Sequence, residues 1–205
     1  MNCEHDSNIE REKVIKAAQK YKNYFFNTSI PNFDFPGPVV FIANPKEEQD
    51  LVVPETIPVK HLDNIMFVRL HVSPTNLSKI VFMIQHWRFF YVPIVLTFMA
   101  YYDQNPPGTI IPPREKLQHT AWDENIRILE DRSEFGRIAY QWRKRHIDSY
   151  WCPTEAFMSY VTKKMKKEGG KLVTRCGTVG SNQCKDCRNC ETYYWQTKKH
   201  LAEIA

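Results

Sequence analysis

Short runs that are apolar on both faces alternate along this chain with stretches whose apolar positions recur every three or four residues. The first stretch of helical period covers residues 7–24, where Ile9, Val14, Ala17, Ala18 and Tyr21 share a face. Ser7 or Asp6 is placed to cap it, and Glu10 follows Ser7 by three residues as in a capping box. A proline-punctuated connection leads to residues 39–43 (VVFIA), a buried strand closed by Asn44-Pro45. Residues 45–60 are polar and proline-broken, which predicts a surface excursion.

The same grammar then repeats. Residues 66–72 predict a strand, and Ser73-Pro74-Thr75 or Asn76 caps a helix reaching about Phe89 through Leu77, Ile80, Val81, Ile84 and Trp87. A strand over 91–100 and a proline-rich loop over 101–113 precede a charged helix predicted at about 124–148. A brief strand at 150–152, a helix over 154–167 with Pro153 at its first turn, and a strand over 171–175 complete the series. Gly169-Gly170 ends that last helix.

Strands alternating with helices imply parallel strands joined by right-handed crossovers. The fold class is therefore α/β, a partial (β/α) barrel or an open, mostly parallel sheet, carrying a C-terminal Cys-rich metal-binding loop. About five β/α units are visible, too few for a closed eight-stranded barrel. The expected division is a body over residues 1–175 and a Cys-rich extension over 176–205 packed on it.

Composition removes several classes. At 205 residues, 42% apolar and 13% aromatic, the chain has the make-up of a folded domain and not of a disordered segment. Thirteen prolines against seven glycines suit long rigid connections better than a glycine-rich phosphate loop. No run approaches the about 18 apolar residues that a membrane span needs, and MNCEHDSNIEREK has no apolar core of a signal peptide. A cytoplasmic location without a membrane partner is expected, where clustered cysteines indicate metal or redox chemistry. A net charge of +5 permits nucleic acid as a partner without demanding it. Dinucleotide, P-loop, nucleophile-elbow and zincin signatures are missing from the sequence.

Four of the six cysteines fall within fifteen residues: Cys176, Cys184, Cys187 and Cys190. Two successive two-residue spacers put three thiols on one tight segment. Gly177, Gly180, Ser181, Asn182 and Asn189 let the backbone wrap a centre, and Arg175, Lys185 and Arg188 supply charge that favours thiolate over thiol. Structural zinc sites usually draw ligands from two separated pairs. Three cysteines at consecutive two-residue spacings instead match the ferredoxin loop, in which a distant cysteine gives a [4Fe–4S] cluster its fourth ligand. Cys176 is the natural fourth here and Cys152 a substitute. Zinc, or thiols without metal, are the alternatives. Cys152, next to Trp151, equally suits a small buried hydrophobe, and Cys3 sits beside the terminus.

On the strand over 66–72, Arg69 and His71 share one face and Leu70 and Val72 the other. Arg69 and His71 are candidate cofactor or substrate contacts at the carboxyl end of the sheet, or else a hydrogen-bonded structural pair. Asn44, Thr97 and Tyr101 or Tyr102 end neighbouring strands and would line the same mouth. The basic stretch Arg137 to His146, interleaved with Tyr140 and Trp142, suits phosphate and base contacts or a solvated helix face. Lys163, Lys164, Lys166 and Lys167 complement a helix C-terminus without needing a partner.

The run from Phe67 to Ser73 (FVRLHVS), the strand end from Thr97 to Tyr102 (TFMAYY) and the terminal CKDCRNC resemble a group of phage and prokaryotic iron–sulfur proteins related to radical S-adenosylmethionine enzymes. The resemblance covers about residues 60–195 and implies a radical-SAM-like partial barrel bearing a [4Fe–4S] cluster. Such enzymes hold their catalytic cluster on three cysteines after the first barrel strand. Here Met1-Asn2-Cys3 stands directly before the first helix, without that strand or most of that loop. Either the start lies upstream of Met1, or only an accessory cluster is retained. S-adenosylmethionine is then not an expected cofactor, and the substrate is left open. A zinc-binding, nucleic-acid-interacting protein is the alternative.

Overall fold

The structure, a computed structural model, describes residues 6–43, 52–102, 126–128, 138–144, 149–178, 181 and 184–204. Its centre is a five-stranded parallel sheet in the order β1 (Phe26–Thr28), β2 (Val39–Ala43), β3 (Ile65–Val72), β4 (Ile94–Phe98) and β8 (Val173–Arg175). The α/β class and the parallel strands are as expected from the alternation of elements. Neighbours in the sheet follow chain order, so the crossover connections wind in one direction.

One face of the sheet is covered by α3 (Leu77–Trp87) and α4 (Glu155–Gly169). Phe41, Val68, Leu70, Val72, Ile94, Leu96 and Val173 meet Ile80, Met83, Ile84, Trp87, Phe157, Val161 and Met165 in one dry cluster. Ile80, Ile84 and Trp87 are among the positions that the three- and four-residue spacing marked, and Met83 and the α4 residues join that stripe. Asn76 joins strand to helix: its Nδ2 donates to the His71 carbonyl at 2.9 Å, and its Oδ1 accepts from Ser73 N at 2.9 Å. Thr154 caps α4 by accepting from Phe157 N at 3.2 Å.

The second face is closed by a helix that the pattern did not mark. α6 (Asn189–Ile204) lays Tyr194 on Val40, Met66, Phe67 and Val95, with Tyr193, Cys176 and Cys190 packed around them. The cysteine segment therefore includes helix: the short turn α5 (Cys184–Cys187) leads through Arg188, at φ 53°, into α6.

The charged helix expected at 124–148 is absent among the described residues of that stretch. They form β5 (Ile126–Ile128) and β6 (Ile138–Lys144), antiparallel to each other, and β6 pairs with β7 (Ser149–Pro153). Charge content favoured a helix there, but β6 is rich in the β-branched and aromatic residues that pack on a pleated surface. Tyr140 goes into the main core between Tyr101 and Phe157.

Three smaller expectations also change. The first helix is α1 (Arg11–Ala18), because Ser7 bonds to an edge strand in place of capping. Ser7 N donates to the Asn27 carbonyl at 2.7 Å, and Asn27 N donates back to Ser7 Oγ at 3.1 Å. That edge strand, β1, lies inside the expected connection. Within the expected surface excursion, Pro54 and Ile57 are buried, Trp87 Nε1 donates to the Val52 carbonyl at 3.2 Å, and a short helix, α2 (Val59–Leu62), begins at its end. β4 begins only at Ile94, since Tyr91 at φ 55° closes a 3-10 turn over Arg88–Phe90. Asn44, Cys3 and the proline-rich stretch beyond Tyr102 lie outside the described residues. No helix among the described residues is long and apolar enough to cross a membrane.

Gly169, the last residue of α4, lies against β8 and α3 with no room for a side chain. A Cβ there would clash with Val173 Cγ2 and stand 2.8 Å from Ile84 Cγ2. Gly169→Ala is expected to destabilise the fold by about 1–3 kcal/mol through overpacking, as measured by urea denaturation.

Candidate metal centre

Parallel sheets present ligands at the carboxyl ends of their strands, and β8 delivers Cys176 there. Cys176 N donates to the Leu96 carbonyl at 2.8 Å, which extends the ladder one residue beyond the strand. The segment that follows folds back and is fastened to the same edge. Asn189 Nδ2 donates to the Arg175 carbonyl at 2.7 Å, and Tyr193 Oη lies 3.4 Å from Thr174 Oγ1. Between them, Thr178 and Ser181 exchange backbone hydrogen bonds of 2.7 and 3.2 Å, and Ser181 Oγ bonds the Asp186 carboxylate.

This stitching brings three cysteines to one edge. Cys187 Sγ lies 3.9 Å from the Arg175 carbonyl oxygen. Cys176 and Cys190 pack on the same apolar cluster beneath α6, and all three are half-buried. The side chain of Cys184 is outside the described residues. Among those described, no group of three or more His, Cys, Asp and Glu side chains is arranged to hold a metal ion. Cys176, Cys187 and Cys190 thus lie about the same part of the sheet without forming a ligand set. Cys152 stands elsewhere, buried on β7 with its Sγ 3.6 Å from the Pro153 carbonyl.

The cation beside these thiols is not one of the three that flank them in sequence. Arg175 points to the other face, where Nη1 and Nη2 bind the two oxygens of Glu155 at 2.8 and 3.0 Å. Arg188 pairs with Glu191 at 3.0 Å, and Lys185 is exposed. Arg69 takes the role instead: its Nη2 donates to Cys190 Sγ at 3.9 Å, and its guanidinium lies 5.7 Å from the Phe67 ring centroid. Its distance of 121 positions from Cys190 hides that pairing from any reading of local spacing.

Arg69 and His71 share the α6 side of β3, opposite the fully buried Leu70 and Val72. His71 stands opposite Thr97 in the β3–β4 register. Among the described residues, Arg69 Nε and Thr97 Oγ1 are both buried without a hydrogen-bond partner. Burial, and then the charge of Arg69, holds the His71 imidazole down at about 4, so the ring is neutral near pH 7. Tyr101 instead turns into the core, where its backbone pairs with Trp151 in both directions at 3.1 and 2.8 Å. Tyr102 is exposed and stacks on Tyr150 at 5.0 Å.

The basic stretch also has a different setting. Its described part runs along β6 and not along a helix, and Tyr140 is fully buried. A ring enclosed on all sides has no face for a base. Arg137 and residues 145–148 lie outside the described set. Comparison with family models, with curated proteins and with solved structures finds no match for this chain.

A depressed histidine pKa makes the folded state acid-sensitive. The unfolded ring takes up its proton near 6.5 and the folded ring only near 4, so stability is full above 6.5 and falls as pH drops between these values. The loss from this one group is bounded at about 3 kcal/mol. His71→Gln is expected to flatten that part of the stability–pH curve, and an NMR titration in which His71 has an ordinary pKa would contradict the assignment.

Proposed function

We propose that this protein binds an iron–sulfur centre, a [4Fe–4S] cluster held by Cys176, Cys184, Cys187 and Cys190 at the carboxyl end of a radical-SAM-like partial barrel. The observation that carries the reading is the placement of Cys176 just beyond β8 and of Cys187 beside the Arg175 carbonyl, with Arg69 directed at Cys190 from a central strand. A cubane bound by four thiolates is strongly anionic, and a half-buried guanidinium offsets that charge while its N–H groups reach sulfur. The one-way strand order supports the partial-barrel part, as does the placement of α3 and α4 on one face.

The thiol donor set suits iron–sulfur or zinc and excludes hard cations, which take oxygen ligands. Metal binding requires the thiols to close around the centre, so folding of the 176–190 segment is coupled to loading. When bound, a cluster held by four thiolates would supply electron transfer, and a substrate would be anchored beside it by the chain's own residues at the mouth of the sheet. The chain's own part is to hold the thiols at the sheet edge, compensate their charge with Arg69 and exclude water with Tyr193 and Tyr194. Such a centre belongs in a reducing compartment. Zinc is the competing occupant, but the nucleic-acid role attached to it loses the basic helix on which it relied.

Anaerobic purification followed by iron and sulfide analysis tests this directly. The expected product is brown, with about four irons and four sulfides per chain. Cys176→Ser, Cys184→Ser, Cys187→Ser and Cys190→Ser are each expected to lose most of the iron, and Cys152→Ser to retain it. A colourless protein with one zinc per chain, or equal iron loss in Cys152→Ser, would refute the reading.

A further inference from the structure

On the α6 side of the sheet, three polar side chains stand together with much of their hydrogen-bonding capacity unspent among the described residues. Arg69 has no carboxylate within ion-pair distance among the described residues, and its one polar contact there is the long Nη2 bond to Cys190 Sγ. His71 makes no side-chain hydrogen bond among the described residues, although its ring is half-buried. The Thr97 hydroxyl, on the strand position paired with His71, is buried without a hydrogen-bond partner among the described residues. Around them the face is apolar: Phe67, Val95 and Ile42 fill the adjoining positions of the three central strands.

A fold that needed only packing would put aliphatic residues at these positions, as it does at Leu70, Val72 and Leu96 on the other face. Arg69 and His71 are two residues apart on one strand, so their heads lie along one line at the carboxyl end, where parallel sheets hold ligands. A guanidinium without a carboxylate offers donors in a planar fork that matches an oxyanion. A neutral imidazole adds one more N–H donor without competing as a cation.

We propose that Arg69, His71 and Thr97 form an oxyanion site that receives the carboxylate or phosphate group of a small molecule beside the thiol-lined end of β8. This deepens the substrate-anchoring role and rests on that reading only for the neighbouring centre. The site is a positioning device: the charged group of the ligand is fixed at Arg69, and the rest of it is directed towards the cysteines.

The test uses the full chain as isolated, titrated with sodium acetate and separately with inorganic phosphate against chloride at matched ionic strength. NMR follows the Arg69 Nε–Hε and His71 ring signals. A saturable shift with either oxyanion, absent with chloride, is expected, and the tighter of the two identifies the ligand class. Arg69→Gln is expected to weaken binding at least tenfold. Thr97→Val, nearly isosteric and so the safer variant for folding, is expected to weaken it severalfold. Shifts that are linear and equal in chloride, or unchanged affinity in both folded variants, would overturn the site. Iron analysis of the same samples keeps the two claims apart. Binding without iron supports the oxyanion site while refuting the cluster, and iron without binding does the reverse.

Discussion

A positive charge set into the middle of a parallel sheet has to be answered by a negative one. Arg69 occupies β3, the central strand, between Ile42 on one neighbour and Val95 on the other. Removing a guanidinium from water is costly unless an anion or several acceptors replace the solvent. Among the described residues the protein offers Arg69 no carboxylate, only the thiol of Cys190 on a helix laid across the face. That constraint joins the two halves of the structure. The sheet supplies the cation, and the C-terminal segment supplies sulfur.

The attachment of that segment follows from the same geometry. Asn189 occupies the Arg175 carbonyl, and Tyr193 reaches Thr174, so the first turn of α6 is pinned to the edge strand. Tyr194 then buries against Val40, Phe67 and Val95 one turn deeper. Aromatic burial stabilises the helix where its polar, weakly amphipathic sequence would not. The thiols are thereby held at a rim that is dry on the sheet side. In such surroundings a fixed charge acts more strongly than it would in water.

Much of the main sheet was legible because its chemistry is local. The VVFIA strand is an unbroken apolar run, the strand through Arg69 alternates at its end, and the helix ending at Trp87 has a 3.6-residue period, and burial honours all three. What escaped was decided by tertiary partners. β6 was hidden by charged residues of good helix propensity, and only the burial of Tyr140 under Phe157 shows why it extends. α6 was hidden because the cysteine spacing drew attention to a loop, although Tyr194 and Thr197 stand three residues apart on one buried face. At the site, the sequence indicated Arg69 and His71 as residues of interest and the four cysteines as a cluster. It had no means of assigning Arg69 to Cys190 in preference to the nearer Arg175 and Arg188, whose charges are taken up by Glu155 and Glu191.

The central claim is that the thiols at the end of β8 enclose iron and sulfide. X-ray absorption at the iron edge of anaerobically isolated protein tests it most directly, because it reads the atoms bound to the metal irrespective of activity. The account predicts iron in an all-sulfur shell with a second shell of iron neighbours, weakened by substitution of Cys190. Iron bound mainly by nitrogen or oxygen, or absorption at the zinc edge alone, would contradict it.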